Sequence, residues 1–558
     1  MPRQIEMKTL SGASQMLTTM MDFPLSTQMI LRHGSQIHAG SRVGTSNGDA
    51  FQFTSFADIA GRVHKLAGAL TALGVARNAR VATYCWNHQQ HLECYLAIPS
   101  MGAVLHTLNV RLFPEQIVGI MNHAEDSVLI IDGSLLPQIE AVLEKVPSLR
   151  HIIVIGDGCK SSSKSDTIEI HRYETLLERS APINPWPELD EKQAAVVCYT
   201  SGTTGAPKGV VYSHRSIFLH TLATLGRDTF GICQSDRILL LPSMFHANAW
   251  GLPFSSWMSG ADLLLPASHL KAADIRSAIV HERPTFTALV PTLINDLLLA
   301  DVDSPIDMSC FRVIVSGGSA VSPTLIRKVR ERWGIPVLQG WGMTETSPMC
   351  CLSIPPRTSS IDEEPAWRAK SGRPVPGMEV RLVGDDGKVS PNDGITVGEL
   401  QLRGPWVTGS YHNNPSSESF TNDGWLRTGD VGVIDPAGYV QITDRTKDVI
   451  KSGGEWVSSL ELENKLAAHP GVVEVGVIGI PDPRWEERPL VFVVGSPKHA
   501  ALNAQSLREF LVPLVARFAV PENFAFVDAL PKTSVGKIDK VALRQLYSSG
   551  KIEIIRLK

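Results

Sequence analysis

The chain has little of what marks many special protein classes. Its eight cysteines are scattered and include no C-x-x-C pair, so neither a zinc ribbon nor a disulfide framework is expected. It has no uncharged apolar run of about 18 residues, which excludes the usual signature of a membrane-spanning helix. It has no large charge of one sign: 52 basic against 56 acidic residues leave a net −4, too little for a global nucleic-acid-binding field. No G-x-x-x-x-G-K-[ST] loop occurs, and no repeat of solenoid period. The opening MPRQIEMKTL carries no apolar core with a small-residue cleavage site, and the end reads RLK rather than SKL, so neither a secretory nor a peroxisomal address is expected. What is there is ordinary: 558 residues, 43% apolar and 19% charged, which excludes a disordered or collagen-like chain. Such a length suggests about three or four structural units. The expectation is a reduced, cytoplasmic enzyme acting on small molecules, without nucleic acid or a membrane span.

The pattern along the chain is that of an α/β protein. Ser55 and Asp58 form a capping pair ahead of Ile59, Val63, Leu66, Leu70 and Leu73, and Gly74 stands as a stop, so a helix is predicted here. RVATYC, AVLHTLN, SVLIID and HIIVIG read as strands, with helices from Gln89 to Ile98 and from Pro114 between them. Short apolar strands separated by helices imply parallel βαβ units. KSSSKSD at 160–166 reads as a loop. AAVVCYT, DRILLLP, DLLLP, FTALVP and FRVIVSG continue the alternation, so two similar sheets in one large body are predicted. From about residue 375, VRLVGDDGKV, GELQLRG and GYVQITDR are joined by Gly and Asp turns and predict a small antiparallel, barrel-like unit. The α/β pattern then resumes, with helices predicted at Ser459 to Ala468 and at 505–517 and strands at VVEVGVIGI and PLVFVVG. A boundary falls at 444–448, dividing a body of 1–443 from a small α/β unit of 449–558.

The strongest chemical signal is Tyr199-Thr-Ser-Gly-Thr-Thr-Gly-Ala-Pro-Lys-Gly209, directly after the apolar strand AAVVC. Its glycines and hydroxyls can offer N–H and O–H groups to phosphate oxygens, and Lys208 adds a positive charge. The segment resembles the phosphate loop of the adenylate-forming superfamily of acyl-CoA synthetases, luciferase and peptide-synthetase adenylation domains. The other motifs of that family follow in order: Pro242-Ser-Met-Phe-His-Ala-Asn-Ala-Trp250, Gln339-Gly-Trp-Gly-Met-Thr-Glu-Thr346, Gly424-Trp-Leu-Arg-Thr-Gly-Asp430, Asp444-Arg-Thr-Lys-Asp448, Lys451-Ser-Gly-Gly-Glu-Trp456 and Pro531-Lys-Thr-Ser-Val-Gly-Lys537.

The resemblance implies a reaction and a site. A carboxylate and ATP form an acyl-adenylate with release of pyrophosphate, and CoA then takes the acyl group. The attacking carboxylate needs no general base; the protein must neutralise charge and align reactants. Thr200, Ser201, Gly202, Thr203, Thr204, Gly205 and Lys208 would hold the phosphates, and Thr200 with Glu345 would bind Mg²⁺ through hard oxygens. Ala247, Gly318, Gln339, Gly340 and Thr344 are assigned to ATP, with Trp341 stacked on the adenine and Asp430 on the ribose hydroxyls. Arg445, Lys447 and Lys451 would assist at the nucleotide, Lys447 also marking the hinge. The resemblance implies Lys537 as the catalytic lysine, with His246, Glu345 and Thr200 as the other catalytic residues. Residues 531–558 carry seven Lys/Arg against two acids, a balance otherwise read as a solvated face.

Within the superfamily, FHANAW, DRTKDVIKSGGEW, WVSSLELEN and LHTLNVRLFPEQI are most similar to medium- and long-chain fatty acyl-CoA synthetases, in which the tryptophan after GGE gates an acyl tunnel. That residue is Trp456 here, and Trp250 would also meet the acyl chain. A short thioether, aromatic or branched acid, or a non-catalytic nucleotide-binding role, remains an alternative, and a homodimer is compatible with the resemblance. Two other features read as structural. Gly44-Thr-Ser-Asn-Gly48 fits a nucleophile-elbow pattern, but Asn47-Gly48 is a hairpin turn pair. His88 and His91 lack a third ligand nearby. Cys350 and Cys351 follow the Glu345 loop and can pack near it.

Overall fold

Ser55 Oγ accepts the amide of Asp58 at 3.1 Å and starts the helix Phe56–Ala72. Ile59, Val63, Leu66 and Leu70, three or four residues apart, are fully buried along it, and Gly74 ends the turn at φ +81°. The computed structural model describes residues 18–158, 168–200, 207–384, 386–414, 418–452, 455–497, 499, 502–533 and 537–557. The predicted loop at 160–166 lies outside these residues.

Two parallel-rich sheets form the body. One has seven strands, in the order Glu169–Arg172, His151–Ile155, Val128–Asp132, Arg80–Tyr84, Val104–Thr107, Ala194–Tyr199 and Gly209–Ser213. The pairs are parallel until the last, which is antiparallel. The second has nine strands and runs from Arg373–Pro374 through Met349–Leu352, Val337–Gly342, Val313–Ser316, Phe286–Leu289, Arg237–Leu239, Asp262–Leu265 and Arg42–Ser46 to Phe51–Ser55. Helices cover the sheets, so strand residues such as Leu129, Ile130 and Ile131 are buried whichever way they point.

The division between the sheets does not follow chain order. Arg42–Ser46 pairs in parallel with Asp262–Leu265, so the first hairpin belongs to the second sheet, and Ala194–Tyr199 extends the first. Strand pairing between segments more than 200 residues apart is set by burial in three dimensions, which periodicity does not record. The hairpin itself is as predicted, with Gly48 at φ +102° between antiparallel strands.

Residues 379–445 form a separate four-stranded antiparallel sheet, Glu379–Val383, Gly398–Arg403, Leu426–Ile434 and Val440–Arg445, paired in chain order. The chain then enters a six-stranded sheet within 450–556, built on the hairpin Val472–Asp482 with Glu486–Gly495. Val477, Val491 and Val493 pack on one face with Leu462 and Leu507; Ile478, Ile480 and Phe492 pack on the other with Leu530 and Leu543. The helix predicted over 505–517 is shorter, Ala504–Leu511, because Pro513 removes an amide the next turn needs. At the passage between the sheets, Asp444 Oδ2 accepts from the backbone and side chain of Ser459, each at 2.6 Å, and Arg544 meets Asp448 at 2.6 Å. No helix among the described residues is long and apolar enough to cross a membrane.

Candidate active site

The phosphate-loop motif leaves the strand Ala194–Tyr199 and returns along Gly209–Ser213. Its two ends are tied: Thr200 N–H donates to the Lys208 carbonyl at 3.0 Å, and Lys208 N–H donates to Thr200 Oγ1 at 3.1 Å. This clasp holds Thr200 and Lys208 on the wall of a cavity of about 490 Å³ that reaches from the body to Lys537 in the last domain. Ser201, Gly202, Thr203, Thr204 and Gly205 lie outside the described residues.

Opposite the clasp sits the turn Thr344–Thr346. Tyr212 donates to the Thr344 carbonyl at 2.6 Å, Thr408 N–H to the Glu345 carbonyl at 2.8 Å, and Tyr411 to Glu345 Oε1 at 2.7 Å. Burial first, then the neighbouring Glu345, raises the Tyr411 phenol, so it stays a donor at neutral pH. The same ring lies 4.7 Å from Lys208 Nζ, which links the two halves of the anion-binding end. Glu345 and Thr200 both line the cavity. Hard oxygens in small number suit Mg²⁺, which keeps waters and substrate phosphates in its shell.

The second wall comes from the antiparallel sheet. Trp341 is 8% exposed, and its indole N–H donates to Asp430 Oδ2 at 3.0 Å. Asp430 Oδ1 meets Arg445 Nε at 2.9 Å, the two residues being cross-strand partners. Asp430 therefore stands behind the wall, fixing the indole and the guanidinium that form it. Gln339 is likewise a strut: buried, it accepts from Val321 N–H through Oε1 at 2.7 Å and does not line the cavity. Lys451 is exposed and also off the wall. The Trp456 side chain lies outside the described residues. Ala247, Trp250, Gly318, Gly340, Trp341, Thr344, Glu345, Arg445, Lys447 and Lys537 all line the cavity.

Lys537 faces the cavity and approaches Gly318; a Cβ built there would lie 3.7 Å from Lys537 Cε. Desolvation, then the positive Arg445, lowers Lys537 to about 8, with Asp430 opposing. Desolvation, then Lys537 and Arg111, holds His246 down to about 4, so it is neutral at neutral pH. His246 is followed by Ala247, Asn248, Ala249 and Trp250, all at φ between +43° and +59°, a left-handed turn of four residues with side chains. Such a conformation costs about 1–2 kcal/mol per residue and persists only where packing over-determines it. Here Ala247, Asn248 and Ala249 are buried, and Tyr95 donates to Asn248 Oδ1 at 3.3 Å. The turn sets His246 and Trp250 on the wall together.

Part of the cavity lining is apolar: Phe230, Trp250, Val315, Met343, Pro348, Met349 and Cys351. Met349 is held on both sides, its N–H 3.4 Å from His220 Nε2 and its carbonyl accepting from Trp406 Nε1 at 2.9 Å. Burial raises the Cys351 thiol, so it serves as packing and not as a thiolate. Phe230, Gly317, Met349, Tyr411, Arg427 and Thr428 were not singled out by sequence reasoning. Arg427 and Thr428 lie inside a motif that was recognised; Phe230 and Tyr411 stand in segments without a pattern of their own.

Comparison with known proteins agrees with this arrangement. The family described as AMP-binding enzyme matches residues 39–412, and the family described as AMP-binding enzyme C-terminal domain matches 461–537. The chain is 39% identical over 539 residues to a 3-methylmercaptopropionyl-CoA ligase of Ruegeria lacuscaerulensis, covering 96% of this chain and 99% of that one. It is 40% identical to a long-chain-fatty-acid–CoA ligase of Thermus thermophilus, covering 95% and 97%. Among solved structures, the anthranilate CoA ligase AuaEII in complex with anthranoyl-AMP superposes with a TM-score of 0.85 at 28% identity, covering 95% and 99%.

Proposed function

The chain belongs to the AMP-binding enzyme family and is an acyl-CoA ligase working through an adenylate, and from that premise we propose that its acid is a medium- or long-chain fatty acid. The observation that carries the proposal is the mixed lining of the cavity. Thr200, Lys208, Arg445, Lys447 and Lys537 offer hydroxyl and cationic groups suited to polyphosphate, while Phe230, Trp250, Val315, Met343, Pro348, Met349 and Cys351 offer apolar surface suited to an acyl chain.

The substrates are the acid, ATP and CoA, and Mg²⁺ when bound neutralises phosphate charge. Thr200 and Glu345 would hold the ion, Glu345 being oriented by Tyr411. The carboxylate attacks the α-phosphorus without a base. Lys537, charged below about pH 8, meets the charge that develops there. Neutral His246 lines the same cavity as Trp250 and offers a ring nitrogen that can orient the carboxylate. Trp341 and Arg445, fixed by Asp430, align the adenosine. The pyrophosphate then leaves, and the CoA thiol displaces AMP from the acyl-adenylate. The unit 449–558 turns about 444–448 between the two steps in this proposal, since Lys537 occupies the site that the thiol must approach. A cytoplasmic setting belongs to the same reading.

One observation favours a second acid. Met343, Met349 and Cys351 set three sulfurs on the apolar wall, a soft surface suited to a short thioether acid. Pyrophosphate release with a series of saturated acids and a short thioether acid, followed by mass spectrometry of the CoA product, separates the readings. For a fatty acid, catalytic efficiency rises with chain length, each buried methylene adding up to ~0.8 kcal/mol, and then levels off. A maximum at the short thioether acid with no gain from longer chains overturns the fatty-acid reading and leaves the ligase chemistry standing.

A further inference from the structure

At the edge of the seven-stranded sheet, on Glu169–Arg172 and the adjoining His151–Ile155, three side chains that no step above uses come together. His151 lies opposite Glu169 in the parallel register, and His171, two residues along, shares the face of Glu169. His151 Nδ1 and His171 Nε2 are 3.2 Å apart; Glu169 Oε2 is 3.5 Å from the first and 3.7 Å from the second. We propose that His151, Glu169 and His171 form a site for one borderline first-row divalent cation of the zinc type, separate from the Mg²⁺ of the reaction.

Between them, neutral imidazoles can place one proton on the line joining the two ring nitrogens, which accounts for the 3.2 Å contact. The carboxylate distances are too long for good hydrogen bonds, so protons alone leave the three atoms converging without a shared partner. A tetrahedral ion with bonds of about 2.1 Å requires ligand separations of about 3.4 Å, close to all three observed. An ion at that distance from each would sit slightly out of their plane, with its fourth position turned to solvent. Two imidazoles and one carboxylate suit zinc and its neighbours and not Mg²⁺, which prefers an all-oxygen shell. The histidine side chains are 17% and 22% exposed and that of Glu169 is 71% exposed, so an ion can enter from water onto a rigid strand pair. Among the described residues Glu169–Arg172 has a sheet partner on one side only, and a bound ion would fasten it to that partner.

The test uses untagged, chelator-stripped, full-length protein. Co²⁺ is titrated alone and followed by its visible absorption, and Zn²⁺ retained after dialysis is counted by elemental analysis. One equivalent is expected, with tetrahedral-type Co²⁺ absorption displaced by Zn²⁺. His151→Ala and His171→Ala should each weaken binding by about tenfold or more, while Mg²⁺-dependent adenylation is unchanged. Glu169→Gln, at an exposed position, should weaken binding while preserving the fold. Hydrogen exchange of 169–172 should slow when Zn²⁺ is added to the wild type and not to the variants. Retention of no more Zn²⁺ by the wild type than by the double variant His151→Ala/His171→Ala overturns the proposal, as does undiminished binding by Glu169→Gln together with either histidine variant.

Discussion

Lys537 shows how one side chain is both required and costly. Its lowered pKa means that the folded enzyme holds the ammonium less readily than the unfolded chain. The penalty on stability is full below about pH 8 and is released as pH rises from about 8 towards the ordinary lysine value, because only the unfolded state then stays protonated. The charge needed for adenylation is lost over the same interval. The kcat/KM for adenylation should therefore fall above about pH 8, and His246, already neutral, should add no inflection near pH 6.5. Lys537→Ala should cut acyl-AMP formation by about 10²–10³, the usual effect of removing one preorganised donor, while thioester formation from supplied acyl-AMP survives. Its melting temperature should equal or exceed that of the wild type. Adenylation by the variant at near the wild-type rate would remove Lys537 from the mechanism. A second residue-scale prediction concerns Tyr411, whose hydroxyl holds Glu345 at 2.7 Å. Hydrogen bonds to charged groups contribute about 1.5–3 kcal/mol, so Tyr411→Phe should lower adenylation by about 10–100-fold and raise the Mg²⁺ concentration needed for half-maximal rate. An unchanged Mg²⁺ dependence would show that Glu345 is oriented by other contacts.

At the scale of elements, the segment between Val440–Arg445 and Ile450–Ser452 carries the proposed pivot. Within it Thr446 N–H donates to the Gly429 carbonyl at 2.9 Å, the Lys447 carbonyl accepts from Arg544 at 3.2 Å and Asp448 meets Arg544 at 2.6 Å, while Asp444 before it accepts from Ser459 N–H, so the two flanking units meet at this segment. Proline at 447 fixes φ and removes a backbone donor. Lys447→Pro should keep adenylation and lose thioester formation, measured as separate half-reactions; equal loss of both would place the pivot elsewhere. The left-handed run Ala247–Trp250 is the element least expected from its residues. No glycine announces it before Gly251, and only the packing of Asn248 against Tyr95 makes it tolerable. The overlong helix predicted at 505–517 has a local origin: Pro513 lies within the predicted range and the helix ends at Leu511.

At the scale of the whole molecule, the cavity exists because the body, the small sheet and the last domain each contribute part of its wall. If Trp456 closes the acyl entrance until nucleotide is bound, the acyl chain enters a loaded enzyme only. Trp456→Ala should then bind fatty acid without ATP in a calorimetric titration. Wild type and variant binding equally well without nucleotide would exclude a gate at this residue.

By itself the sequence determined the elements and the chemistry. Capping residues, period and turn pairs placed Phe56–Ala72, the hairpin at Asn47-Gly48 and the buried strands. Motifs in order named Thr200, Glu345, Trp341 and Lys537, because loops that meet phosphate need residue types that local sequence displays. Only the tertiary structure decided which sheet Arg42–Ser46 joins, that Gln339 and Asp430 brace the wall from behind it, that Tyr411 reaches Glu345, and that two histidines and a glutamate meet on one edge. Those are contacts between segments tens to hundreds of residues apart. They follow from burial of both faces of each sheet and from cross-strand register, which act on distance in space and leave no period in the chain.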